Sequence, residues 1–149
     1  MKTVAMIAAA FSVLTLSGVA LADGTVTAEG GKGVKWPVEK FIGCSYSRTA
    51  PRDAHSGQAV GKRESTPLCI TKSGSKSTPL WFEAVSKNEN LKSVSLDLSS
   101  GIHIELTNAT VATVKLFNSG TDGKDLEDIC FTFQNIVISH KAGGTRSSN

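Results

Sequence analysis

The chain predicts a mainly β fold: a small β-barrel of two packed antiparallel sheets with one short α-helix, at about residues 78–88. Three observations carry that expectation. Apolar residues alternate with polar ones in run after run, the period of half-buried strands. Turn-rich clusters such as Ser99-Ser100-Gly101 and Asn118 to Lys124 separate the runs. Only the stretch from Thr78 to Asn90 combines helical spacing with a start and a stop signal.

The first segment stands apart from the fold. Lys2 precedes an almost wholly apolar run from Val4 to Leu16, and Ala20-Leu21-Ala22 places small residues where a signal peptidase reads. Residues 1–22 are therefore expected to be a signal peptide and residues 23–149 a single domain, exported to the periplasm or beyond. The apolar run is shorter than the roughly 20 residues a spanning helix needs, so no membrane contact is expected once the leader is removed. The remaining length suits one domain with a real core. Its charge is nearly balanced: every acidic residue and every basic residue except Lys2 lies beyond Ala22, a net of +2. No nucleic-acid partner is expected, because Asp53 and Glu64 interrupt the densest basic group, Arg48, Arg52, Lys62 and Arg63.

Gly24 to Gly33 carries little apolar matter beyond Val26 and Ala28 and predicts at most a weak strand. From Val38 the chain alternates: Val38, Ile42, Cys44 and Tyr46 share one parity, although Lys40 and Phe41 blur the start. Leu68 and Ile70 mark a second strand over Thr66 to Lys72. Thr49 to Glu64, between them, is rich in Ala, Gly, Pro and charge, and reads as a long loop or a projecting hairpin arm.

In the helix, Thr78 is the expected cap and Pro79 suits the first position, while Leu80, Trp81, Ala84 and Val85 form the apolar stripe that packs on the core. Glu83 is placed to favour the helix dipole, and Asn88-Glu89-Asn90 ends the run. So short a helix must dock its Trp to be stable.

Val94, Leu96 and Leu98 then alternate up to the turn, and Ile102, Ile104 and Leu106 alternate back, a hairpin. Asn108 is read as a turn residue before a further strand, Val111 to Phe117, and Asn108-Ala-Thr110 as a sequon by pattern only. In the last strand, Asp128 to His140, Ile129, Phe131, Phe133 and Val137 share a face while Ile136 and Ile138 lie opposite. Either a bulge near Gln134-Asn135 or burial on both sides would produce that pattern. The tail from Lys141 is polar and expected to be loose.

Cys44, Cys69 and Cys130 lie in an exported chain, where oxidation is permitted. In a symmetric hairpin, paired residue numbers sum to a constant. Cys44 and Cys69 sum to 113, which centres the turn between Ser56 and Gly57 and would let the two face each other, so they are read either as small buried hydrophobes or as a Cys44–Cys69 bridge. Cys130 is left over, mid-strand. No metal or cofactor is expected. His55, His103 and His140 are scattered, and Gly57 to Lys62 falls one residue short of a phosphate loop and lacks its Ser or Thr. No nucleophile elbow is present either, and no catalytic residue is assigned.

Six segments carry a resemblance to a known family. They are Gly57-Gln-Ala-Val-Gly-Lys-Arg63, Ile70-Thr-Lys72, Lys76-Ser-Thr-Pro-Leu80, Asn88-Glu-Asn-Leu91, Ile104-Glu-Leu-Thr-Asn-Ala109 and Phe131-Thr-Phe-Gln134. Their order and spacing resemble the haemolysin-coregulated protein family, Hcp, over roughly Phe41 to Gly144. The resemblance implies a subunit of the bacterial type VI secretion tube: a barrel with a flanking helix that closes with copies of itself into a homohexameric ring, stacks, and carries effector cargo. It also implies that the extended hairpin, Ser47 to Lys62, reaches toward the neighbouring ring. Arg48, Arg52, Asp53, His55, Gly57, Gln58 and Lys62 are the expected stacking residues. Subunits of that family assemble in the cytoplasm, whereas this chain carries an export signal. The alternative is an exported monomeric β-barrel binding module, or a secreted effector-like relative that no longer forms a tube.

Overall fold

The computed structural model describes residues 23–58, 61, 64–118, 120, 123–143 and 146–148. The expected signal peptide lies outside them. Among the described residues, ten strands and one helix follow in the order β1 (Gly24–Glu29), β2 (Glu39–Phe41), β3 (Gly43–Ser45), β4 (Arg48–Thr49), β5 (Glu64–Ser65), β6 (Leu68–Ser73), α1 (Thr78–Ser86), β7 (Asn90–Leu98), β8 (Ile102–Asn118), β9 (Asp125–His140) and β10 (Arg146–Ser148).

The main sheet runs β2-β1-β7-β8-β9-β6-β3, with β10 beside β9. Its two outermost strands are one stretch of chain, since only Ile42 separates β2 from β3. Phe41 pairs with Gly24 on β1, Gly43 pairs with Thr71 on β6, and the Ile42 N–H donates to the Thr71 carbonyl at 2.7 Å. The sheet therefore curls until a single segment joins its edges. This is the expected barrel, with all its strand pairs antiparallel and its residual twist taken up in a nearly closed wall.

The segment expected to be weak makes a full strand. Val26 and Ala28 are buried, and β1 pairs on both sides, with β2 and β7. Its alternate threonines fit a pleated surface, so two apolar residues suffice. Gly24 lets it close on β7, because a Cβ there would stand 2.1 Å from the Asp97 carbonyl oxygen.

Asn108 is not a turn: β8 runs through it for 17 residues. The inward parity changes there, from Ile104 and Leu106 to Ala109 and Val111, and β7 changes at Lys92, from Leu91 to Val94. On β9 the change falls at Gln134-Asn135, between Phe131 and Ile136. The registers on either side agree, with Leu91, Ala109 and Phe133 in one row and Ser93, Thr107 and Asn135 in another. Three neighbouring strands thus turn over at one row, Lys92–Asn108–Gln134. Asn108 adopts φ 51° and its Nδ2 donates to Gln134 Oε1 at 2.7 Å. That shared phase change, and not two-sided burial, explains the mixed face of β9. A separate bulge lies between Val111 and Thr113.

The helix starts one residue earlier than expected. Ser77 is the N-cap, and Thr78 is already helical, its Oγ1 accepting from the Ser75 N–H at 3.0 Å. Glu83 lies outside the first turn and pairs with Lys87 four residues on. The C-terminus is closed by Asn88 in the left-handed region, with Glu89 N–H donating to Ala84 O at 2.9 Å, a Schellman ending. Trp81 and Ala84 are buried, while Leu80 and Val85 are half-exposed. Trp81 packs edge-on between Trp36 and Phe131, at 4.8 and 5.7 Å between ring centres. The tail is partly ordered, for β10 pairs Arg146, Ser147 and Ser148 with Ser139, Ile138 and Val137.

Candidate assembly surfaces

The arm leaves the barrel after β3 and returns before β6. Its stem is two residue pairs, Arg48 with Ser65 and Thr49 with Glu64, below which the Thr66 N–H donates to Ser47 O at 2.9 Å. Its tip is built on Asp53: the His55 N–H and the Ser56 hydroxyl both donate to its carboxylate, and the Gly57 N–H donates to its carbonyl. Gly57 has φ 67°, as the turn requires. Arg52 Nη1 donates to Gly57 O at 3.1 Å, and the Asp53 N–H donates to Gln58 O at 2.9 Å. The structure therefore brings Arg52, Asp53, His55, Gly57 and Gln58 together at one exposed tip, with Arg48 in the stem. Lys62 lies outside the described residues.

The candidate Cys44–Cys69 bridge does not form. Cys69 is bonded to Cys130, directly opposite on β9 with the Cα atoms 4.1 Å apart, and Cys44 is free. The arm obeys the predicted arithmetic, since its paired residues sum to 113, but β3 and β6 pair Cys44 with Ile70 and sum to 114. Tyr46 stands opposite two residues, Pro67 and Leu68, and that extra residue shifts the register. A one-residue shift turns Cys44 toward the core beside Ile70 and leaves Cys69 outside. Burial pushes the Cys44 thiol up. Cys130 is half-exposed and bonded, not buried and left over.

Inside the barrel lies a cluster that the sequence reading missed. Lys72 and Glu127 are fully buried and paired across β6 and β9, and Lys72 Nζ also stands 2.8 Å from Glu39 Oε2. The ammonium donates further to Ser73 O at 3.0 Å and Ser75 Oγ at 3.1 Å. Ser75 Oγ donates to Glu39 Oε1, lies 3.0 Å from Ser77 Oγ, and Ser77 Oγ accepts from Trp81 Nε1 at 3.2 Å. The helix anchor is thus tied to the buried ions. Burial would raise the Glu39 carboxyl, but hydrogen bonds from Lys72, Ser77 and Ser75 with the Lys72 charge outweigh it and hold it below the usual value. A signal was available: Lys72 continues the parity of Leu68 and Ile70, and Glu127 that of Ile129 and Phe131.

At one rim His103, which is half-buried, has Nδ1 2.8 Å from Asp97 Oδ1, and Lys141 Nζ lies 3.2 Å from the same oxygen. The bond to His103 outweighs burial and, with Lys141, holds the Asp97 carboxyl below its ordinary range.

One long strand edge has no strand partner, although α1 packs against β8. β7 pairs with β8 only as far as Thr110, so among the described residues Val111 to Asn118 has a partner on the β9 side alone. Leu116 is exposed there, and Val34 and Val38 in the β1–β2 connection and Ile42 at the seam are exposed too. An unpaired edge is a template for another strand.

Residues 15–140 match the family described as "Type VI secretion system effector, Hcp". A protein named "Major exported protein" from Pseudomonas aeruginosa is 30% identical over 122 residues, covering 72% of this chain and 71% of that one. A crystal structure of an Hcp protein is similar with a TM-score of 0.74 at 23% identity, over 86% of this chain and 96% of that one. The Hcp1 protein from the E. coli EAEC 042 pathovar is similar with a TM-score of 0.75 at 19% identity, over 87% and 98%. These two structural likenesses bear on the fold.

Proposed function

This chain belongs to the family of type VI secretion system effectors known as Hcp, and on that premise we propose that it is a tube subunit that assembles with itself into a six-membered ring. The family match, which spans nearly the whole domain, carries the reading. The edge at Val111 to Asn118, which has no strand partner on the β7 side, supports it, because a closed ring needs a surface that a second copy can extend. In this reading the arm, with Arg52, Asp53, His55, Gly57 and Gln58 at its tip, contacts the next ring, and the ring carries small effectors. The chain is exported: the leader expected over residues 1–22 supports this, as does the name of the Pseudomonas relative.

The leader also favours a second reading, an exported monomeric module or effector-like relative that kept the barrel and lost the ring. Light scattering on a sizing column separates the two. A mass six times that of the subunit is expected. A clean monomer across concentrations would overturn the ring and leave the module.

A further inference from the structure

We propose that the Cys69–Cys130 disulfide is an oxidation-dependent clamp on the root of the arm, formed once the chain reaches an oxidising compartment and required for a firm arm. The role given to the arm rests on the reading above; the clamp itself rests on the position of the bond. Cys69 is the second residue of β6 after Pro67, which has no N–H to offer a ladder. The register irregularity at Pro67 and Leu68 sits between arm and barrel, so the ladder is at its weakest just where the arm pulls on it. On one side β6 is held there by three pairs with β3, and on the other its ladder with β9 ends at Leu68 and Phe131. The disulfide bonds the next pair inward. A covalent link at that pair stops fraying of the arm from travelling into the wall.

The bond is placed to be made after folding. Cys69 and Cys130 alternate with buried Leu68, Ile70, Ile129 and Phe131, and are therefore on the outer face, half-exposed in a shallow depression lined also by Gly43, Cys44, Ser45, Thr71 and Asp128. Pairing of β6 with β9 already places the two residues opposite each other. A protein thiol oxidant carrying a disulfide can attack from outside. One thiolate of the pair forms a mixed disulfide with it, the other displaces it, and the oxidant leaves as a dithiol, having accepted the two electrons and the two protons that the cysteine thiols gave up. Cys44 borders the same depression but pairs with Ile70 and packs against the core, whereas Cys69 and Cys130 stand directly opposite each other.

The test compares the exported protein as recovered, the same protein reduced, and a Cys69→Ser/Cys130→Ser variant, by hydrogen exchange and by sedimentation. Amides at the arm root and in Leu68 to Thr71 should exchange at least about tenfold faster without the bond, while those of β7 keep their rate. A Cys44→Ser control should behave as the parent. Equal acceleration throughout the barrel would make the disulfide a general staple and overturn the clamp, as would no change at the root. If the protein is a monomer, the ring reading fails, yet the exchange result still decides the clamp. If rings form, reduction should lower stacking and leave the ring mass unchanged; unaltered stacking overturns the link to the arm.

Discussion

Cys44 lies opposite Ile70, one residue out of step with Cys69. Its thiol is raised by burial and packs against the core. In the native, oxidised protein a thiol reagent at neutral pH should therefore label almost nothing, and one thiol per chain should become reactive on unfolding without reductant. Rapid labelling of the native chain would show that Cys44 is exposed or that the bridge is absent.

Trp81 holds the helix to the core through Trp36, Phe131 and the Ser77 hydroxyl. Trp81→Ala should cost about 3–5 kcal/mol of folding free energy, read from denaturant melts. An unchanged midpoint would place the ring on the surface. Leu80→Ala should cost much less, since Leu80 is half-exposed.

Lys72 is the only ammonium in contact with Glu127 among the described residues, and Glu127 Oε2 has no hydrogen-bond partner among them. Removing the lysine strands a buried carboxylate. Lys72→Met should cost about 3–5 kcal/mol, and Lys72→Met with Glu127→Leu should recover much of it. Equal destabilisation by the single and double changes would count against the pairing.

Glu39 has a folded pKa below its ordinary 4.5. A group lowered on folding stabilises fully above its unfolded value, and that contribution disappears as pH falls through the folded one. Melting temperature should therefore drop as pH is taken below about 4.5, and Glu39→Gln should flatten that slope while lowering stability at pH 7. A variant with the parent's acid profile would remove Glu39 as the cause.

Asn108 adopts a left-handed conformation in mid-strand, which a β-branched residue resists. Asn108→Val should lose about 1–3 kcal/mol, whereas Asn108→Gly should be milder because it keeps the backbone and loses only the bond to Gln134. If valine proves harmless, the turn-over of the three strands does not depend on this residue.

The parity of apolar residues made most strands legible: in β7, Val94 and Leu96 are buried as the period of the pleat requires. What escaped was non-local. Nothing near Asn108 announces that β7, β8 and β9 change face together, since the row exists only after three strands pair. The cysteine pairing failed through Pro67 and Leu68, where one extra residue defeats a hairpin count that holds for Arg48 and Ser65. The arm's tip turns over Asp53 to Gln58, within a residue of the expected Ser56-Gly57, because turn chemistry is local. The buried ions were overlooked because Lys72 and Glu127 are polar by type, although their parity marked them as inward.

Ile42 joins the two margins of the wall, and this gives the folding reaction an order. The β7–β8 and β8–β9 hairpins need only short loops, whereas Glu39 to Ser45 must find β1 on one side and β6 on the other. Segments that depend on distant partners dock after those that do not. The seam at Ile42 is thus the last stitch in the wall, and breaking it would bare two strand margins at once.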